Sequence, residues 1–278
     1  MSSFALMDIE QTDEALLAAA RTGEAAPLEA LLSKHQSRLY RFSLKMCGSP
    51  SDAQDVLQET LIALARSIHT FRGDSSVSTW LYTVARSFCI KRRRQSKFAP
   101  AHTESLDHSV ADFTPDPGLA PDEALAARQL QMALNTALAA LSEEQREVVL
   151  LRDGEGLSAA EVADVLGVSI DAVKSRLHRA RLALRDSLKP VLGEAAAPKS
   201  AGCPDVLTTY SRYLEGDIGA DLCRQMEQHL SGCQHCTVAC DSLKRTLSIC
   251  STSPLKEVPL PVQAAVRAAL DQARANLR

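Results

Sequence analysis

The chain has 278 residues, 45% of them hydrophobic and only 4% aromatic, and its 31 Lys and Arg against 34 Asp and Glu give a net charge of -3. This composition favours small helical units over sheets, so we expect an all-α fold of two or three domains. The N-terminal sequence lacks a signal-peptide pattern, and no stretch reaches the roughly 18 apolar residues that span a bilayer. We therefore expect a cytoplasmic protein with no membrane partner.

The first predicted module covers residues 14–98 and begins with apolar residues at helical spacing in Ala15–Arg21 and Leu28–Met46. A third helix is predicted to start at Ser51, where Gln54 three residues later would complete a capping box. Its polar face carries Asp52, Asp55, Gln58 and Glu59.

A helix is predicted over Val77–Arg94, because Trp80, Val84 and Phe88 fall on one helical stripe. It is basic, since six Lys or Arg and no acidic residue lie between Ser75 and Thr103. Such a block neutralises phosphates, but it is also typical of a solvated helix end whose cations favour the C-terminal dipole. The nearby aromatic residues could stack on unpaired bases or pack in the core, which is the stronger expectation for Trp80.

The second predicted module, residues 123–189, follows an acidic linker at 99–122. Capping boxes are predicted at Ser142 and Ser158, and a turn at Gly167 leads to a new N-cap at Ser169. Two short helices joined by such a turn make a helix-turn-helix whose second helix can enter a major groove. We expect the first residues of this second helix to face base edges and its later arginines to bind phosphates. The predicted DNA-binding residues are Asp171, Lys174, Ser175, Arg176, His178, Arg179 and Arg181. A surface helix of a bundle is the alternative.

The third predicted module, residues 203–278, follows a linker at 190–202 and contains six of the eight cysteines. Cys203, His229, Cys233 and Cys236 form a C-x25-H-x3-C-x2-C array that predicts a four-ligand site for zinc, although soft ligands also accept copper(I) or cadmium. Cys223, Cys240 and Cys250 are interpreted either as buried small hydrophobes or as sensor thiols. Cys47 and Cys89 are expected in the core. His235 is expected at the surface, and a terminal amphipathic helix is predicted over Val262–Leu277.

Two segments resemble the extracytoplasmic-function sigma factors of the sigma-70 family, over about residues 14–189. The segment RLYRFSLKMCGSPSDAQDVLQETLIALARSIHTFRGDSSVSTWLYTVARSFCIKRRR is similar to region 2, and ALSEEQREVVLLRDGEGLSAAEVADVLGVSIDAVKSRLHRARLAL is similar to region 4. The resemblance implies two partners, core RNA polymerase and promoter DNA, and no catalysis.

Residue roles also follow from the resemblance. It implies that Asp52, Asp55, Gln58 and Glu59 bind the polymerase clamp and that the helix after Ser169 reads the -35 element. It implies that the -10 element is recognised and opened by Phe71, Arg72, Trp80, Arg86, Lys91, Arg92, Arg93 and Arg94. The acidic linker would then run through the RNA path of the polymerase, or it is a solvated tether.

The third module resembles a zinc-binding anti-sigma domain that is normally a separate protein, which implies control in cis through contact with the sigma domains. Two alternatives stay open at this point. The chain could be an operator-binding regulator that never replaces a polymerase subunit, or the third module could be a zinc hydrolase. A hydrolase needs an open coordination position, whereas four protein ligands indicate a closed site.

Overall fold

The computed structural model describes residues 12–22, 25–98, 120–193, 202–251 and 258–275. All regular secondary structure in these ranges is helical, which confirms the all-α prediction. The predicted linker 99–122 lies outside the described residues up to residue 119, and the linker 190–202 lies outside them from 194 to 201. No helix in the described ranges combines the length and the apolar character needed to cross a membrane.

Four helices build an N-terminal unit: α1 (Asp13–Arg21), α2 (Ala25–Cys47), α3 (Pro50–Ser67) and α4 (Val77–Phe98). Helices α2, α3 and α4 all pack on one another, and α1 covers α2. The start of α3 differs from the prediction, because Ser49 is the N-cap and accepts a hydrogen bond from the Asp52 amide at 3.3 Å. Pro50 occupies the first turn, where its missing N–H costs no helical hydrogen bond.

The middle unit consists of α5 (Pro121–Ala140), α6 (Glu143–Val149), a π-helical turn (Leu150–Gly154), α7 (Ala159–Leu166) and α8 (Ile170–Leu188). The capping boxes predicted at Ser142 and Ser158 both form, and Ser169 caps α8. Gly167 adopts a left-handed conformation with φ of 66°, so it ends α7 and allows the sharp turn into α8.

The C-terminal unit contains α9 (Val206–Leu214), α10 (Ala220–Gly232), α11 (Gln234–Ser251) and α12 (Leu260–Ala275). Helices α9 and α11 pack on α8 of the middle unit, whereas α12 packs on α3 of the N-terminal unit. Val258, Val262 and Val266 thereby join the main hydrophobic core, which also spans the other two units. The C-terminal unit therefore contacts both preceding units.

Cys47 at the end of α2 and Cys89 in α4 form a disulfide that joins positions 42 residues apart, with a Cα–Cα distance of 5.5 Å. Cys89 is fully buried and Cys47 packs against the core, as expected, but the pairing was not predicted. The bond closes a covalent loop around α3, so it restricts the unfolded chain.

Replacing Cys47 by Ser is expected to lower the free energy of unfolding by about 3 kcal/mol, the typical contribution of a disulfide. Denaturant titration with and without a phosphine reductant measures the difference. The reduced native chain should match the variant, and Cys223→Ser serves as the control. Equal midpoints for the native chain in both conditions would contradict a stabilising disulfide.

Candidate metal centre and nucleic-acid interfaces

Four side chains of the C-terminal unit meet at one point: those of Cys203, His229, Cys233 and Cys236. Their ligand atoms all lie within 4.8 Å of one another. The Cys203 and Cys233 sulfurs are 3.6 Å apart, and His229 Nε2 lies 3.2 Å from the Cys236 sulfur. A tetrahedral zinc with Zn–S bonds of about 2.3 Å requires ligand separations of just under 4 Å, so the spacing fits that ion.

Three short elements hold these ligands in place. Cys203 precedes α9, His229 lies in the last turn of α10, and Cys236 lies in the first turn of α11. In the first turn of α11, the Thr237 hydroxyl lies 2.7 Å from the Leu230 carbonyl and 3.0 Å from the Cys233 carbonyl, so that its one proton is shared between these two acceptors. The turn between α10 and α11 brings His229 of the first helix close to Cys236 of the second.

The crowded thiols influence one another's ionisation. Burial, together with hydrogen bonding to Cys203 and Cys233, raises the pKa of Cys236 to about 12. A hydrogen bond from the Cys236 backbone lowers the pKa of Cys233. Three thiolates at this distance repel one another unless a cation neutralises them, which is the chemistry that a bound metal ion supplies.

The remaining cysteines of this unit lie outside the cluster. Cys240 is buried beside Cys236 in a small core with Val206, and Cys250 is buried in the main core, where burial raises its pKa to about 12. Cys223 is half-buried on α10. These positions favour the interpretation of Cys240 and Cys250 as small hydrophobes over that of reactive thiols, since a raised pKa suppresses the thiolate.

Helix α8 carries the predicted DNA-reading residues, and the C-terminal unit contacts one side of it. Lys174 forms an ion pair with Asp217, and His178 Nε2 lies 3.3 Å from the Thr208 hydroxyl. Further along the same side, Arg185 donates to the carbonyl of Ala239 at 3.2 Å. Asp171, Ser175 and Arg179 are exposed, and Arg176 pairs with Glu144 at 3.2 Å.

Arg181 was predicted to bind DNA. Its side chain is only 1% exposed, so it cannot reach DNA in this conformation. Its guanidinium donates to both oxygens of Asp153, at 2.6 and 2.9 Å, and to Glu215 at 2.7 Å. Glu215 also accepts from Arg152 at 3.1 Å. The sequence placed Arg181 on the polar side of α8, but an arginine is buried when carboxylates from two other elements surround it.

The loop that supplies Glu215 and Asp217 follows the end of α9. Gly216 between them has a φ of 70°, a conformation that side chains other than glycine rarely adopt. The Asp217 amide donates to the Arg212 carbonyl at 3.0 Å, which closes the turn. No signal in the sequence predicts the contact that Glu215 and Asp217 make with α8.

The predicted -10 residues are partly covered. Arg86 pairs with Glu147 at 2.8 Å and Arg93 with Glu143 at 2.8 Å, both of the middle unit. Phe71 and Trp80 are half-buried and pack edge to face, with ring centroids 6.1 Å apart. Arg72, Lys91 and Arg94 are exposed.

The predicted polymerase-binding residues on α3 are all half-buried. Arg92 of α4 pairs with Asp55 at 2.7 Å and with Glu59 at 2.8 Å, and these carboxylates raise the pKa of Arg92. Asp52 and Gln58 lie on the same helix. The acidic face of α3 is therefore partly neutralised by the basic end of α4.

Family models match three separate segments of the chain. A model described as "Sigma-70 region 2" matches residues 31–98, one described as "Sigma-70, region 4" matches residues 131–184, and one described as "Putative zinc-finger" matches residues 203–237. The zinc-finger segment contains all four clustered ligands.

Three curated relatives align with about two thirds of the chain. RNA polymerase sigma-H factor of Pseudomonas aeruginosa is 28% identical over 67% of this chain and 98% of its own length. Two proteins of Mycobacterium tuberculosis each align with 63% of this chain. ECF RNA polymerase sigma factor SigM is 33% identical over 84% of its length, and ECF RNA polymerase sigma factor SigL is 37% identical over 96% of its length.

Proposed function

Because this chain belongs to the extracytoplasmic-function sigma factors, which are non-enzymatic transcription initiation factors, we propose that its first two units direct core RNA polymerase to specific promoters under the control of the C-terminal unit. The -35 element is read by the open side of α8, through Asp171, Ser175, Arg176 and Arg179. Lys174 and His178 join this set only when the C-terminal unit leaves.

The -10 element is bound by the basic side of α4, where Lys91 and Arg94 are exposed, together with the exposed Arg72 in the segment that precedes the helix. Phe71 and Trp80 offer an aromatic surface for an unpaired base. Core polymerase binds the acidic face of α3. Sigma function of this kind places the chain in the cytoplasm of a bacterial cell.

Zinc is the metal that we assign to the four clustered residues, since three thiolates and one imidazole make a closed tetrahedral site. Copper(I) and cadmium also accept these soft ligands. When bound, the ion neutralises the thiolates and cross-links the start of α9 to the start of α11. Both of these helices contact α8, so the site connects metal occupancy to the DNA-reading helix.

Repression is the direction of control that the contacts support. The observation that carries it is the packing of α9 and α11 on α8, with Lys174, His178 and Arg181 engaged by the C-terminal unit. The packing of α12 on α3 adds a second contact, on the helix that carries the polymerase-binding residues. Loss of the metal releases α9 and α11 from each other and uncovers α8.

Co-elution with core RNA polymerase on a sizing column tests the proposal. The chelated chain should co-elute with the polymerase, whereas the zinc-loaded chain should elute separately. The double variant Asp55→Ala with Glu59→Ala should fail to bind in either state, because it lacks the acidic face. Absence of binding by the native chain in both states would contradict the proposal and would favour an operator-binding regulator.

A further inference from the structure

Carboxylates of the middle unit line the side of the N-terminal unit on which α4 presents its arginines. Glu147 accepts two hydrogen bonds from Arg86, at 2.8 and 3.2 Å, and its side chain is only 3% exposed. Glu143, one turn earlier on α6, pairs with Arg93 at 2.8 Å. Because Arg86 and Arg93 are seven residues apart, they lie on one face of α4.

Two further carboxylates extend this contact. Glu155 accepts from the Tyr82 hydroxyl at 2.8 Å and from Arg38 at 3.2 Å. Glu161 accepts from the hydroxyls of Ser76 and Thr79 at 3.4 and 3.5 Å, at the start of α4. The four carboxylates therefore follow α4 from its first turn to its basic end.

This contact is separate from the one made by the C-terminal unit. It joins α4 to α6 through the ion pairs of Arg86 and Arg93 and packs α4 on α7, whereas α9 and α11 contact α8 and α11 also contacts the π-helical turn. Glu147 is buried beside Arg86, and an unpaired buried charge is costly. Arg86 can therefore separate from Glu147 only when another anion takes the place of that carboxylate. A phosphate is an anion of the same kind, and arginine binds carboxylate and phosphate with the same two-pronged geometry.

We propose that Glu143 and Glu147 of the middle unit, supported by Glu155 and Glu161, mask the phosphate-binding side of α4, so that the free chain blocks its own -10 surface independently of the metal site. This inference rests on the proposed function, which assigns the basic side of α4, where Arg86 and Arg93 lie, to the -10 element. Lys91 and Arg94 stay exposed, so they can bind the first phosphates before the masked arginines are released. Separation of the two units on the polymerase then exchanges carboxylates for phosphates.

The double variant Glu143→Gln with Glu147→Gln tests the mask in the full-length chain, both zinc-loaded and zinc-stripped. Fluorescence anisotropy measures binding of a labelled single-stranded DNA of mixed sequence, about 20 nucleotides long, as a function of salt. Each phosphate contact on a single strand adds about 0.7 to the salt slope. Two released arginines should therefore steepen the slope by about 1.4, which corresponds to about 25-fold tighter binding near 0.1 M salt in the zinc-stripped chain.

The variant Asp164→Asn is the matched control, because it removes one negative charge from an exposed position on α7 and should leave the slope unchanged. An unchanged slope in a double variant that still co-elutes with polymerase would overturn the mask alone. A native chain that never co-elutes would overturn the proposed function beneath it.

A charge exchange gives a second, independent measurement. Glu147→Arg should separate the two units and increase the radius of gyration in small-angle X-ray scattering. Adding Arg86→Glu to that variant recreates the ion pair in reverse and should restore the compact value. Equal radii for the native chain and the single variant would overturn the mask, because the contact would then not depend on this pair.

Discussion

Replacing Cys236 by Ala is expected to abolish zinc retention and to unfold the C-terminal unit. The hydrophobic core of the metal-binding part is very small, with Val206, Cys236 and Cys240 as its buried members. A unit with so small a core needs an additional cross-link to stay folded. Structural zinc contributes on the order of 10 kcal/mol to the folding free energy of small domains. The variant should therefore lose the helical signal of α9–α11 while the first two units keep theirs.

Elemental analysis after dialysis and circular dichroism measure the two effects. Zinc should fall from one per chain to a background level, and co-elution with polymerase should become independent of added zinc. Cys223→Ala is the control, because Cys223 lies on α10 outside the cluster. A Cys236→Ala chain that retains one zinc and full helicity would show that the four-ligand site does not hold the unit together.

Replacing Arg181 by Ala is expected to lower the free energy of unfolding by about 3–5 kcal/mol, the cost of breaking a buried ion pair by removing one partner. The guanidinium is 1% exposed and neutralises Asp153 and Glu215, whose side chains are 7% and 3% exposed. Without it, Asp153 has no other ion-pair partner in the described part of the chain, and Glu215 keeps only Arg152. Denaturant titration measures the loss.

Arg179→Ala is the matched control, since Arg179 lies two residues earlier on the same helix and is exposed. It should leave stability within about 0.5 kcal/mol, the usual range for surface substitutions, while weakening binding to -35 DNA. Arg181→Lys should recover only part of the loss, because lysine cannot donate to both carboxylates in the same planar arrangement. Equal stability of the two alanine variants would contradict a structural role for Arg181.

Local signals in the sequence predicted most helix starts and the metal ligands. Ser142, Ser158 and Ser169 act within three residues of their own position, so a single sequence specifies them. The short spacing of His229, Cys233 and Cys236 likewise keeps three ligands close together, and the structure places them on either side of the break between α10 and α11. Ser51 was the wrong cap because Ser49 and Pro50 offered the better N-terminus, and both signals were present in the sequence.

The contacts between units could not be predicted in the same way. Arg181 and Arg179 are both predicted on the polar side of α8, and only the folded chain shows that Asp153 and Glu215 surround the buried Arg181. The sequence around Glu147 does not distinguish it from other glutamates on helices. Its partner Arg86 is 61 residues away in the chain and meets it only in the folded structure. The disulfide between Cys47 and Cys89 has the same origin, since its two thiols meet only when α2 and α4 pack.

The C-terminal unit contacts both α8 and α3 while remaining part of the same chain. An inhibitor on a separate chain dissociates when it and its target are both dilute. It also leaves part of the target uncovered when the target is made in excess. A tethered one meets its target at an effective concentration that the linker fixes, whatever the number of molecules in the cell. Under the proposed control, the covered fraction of this protein is therefore the same in a cell that makes a few copies and in one that makes thousands, and increased synthesis raises the number of uncovered molecules only in proportion to the total.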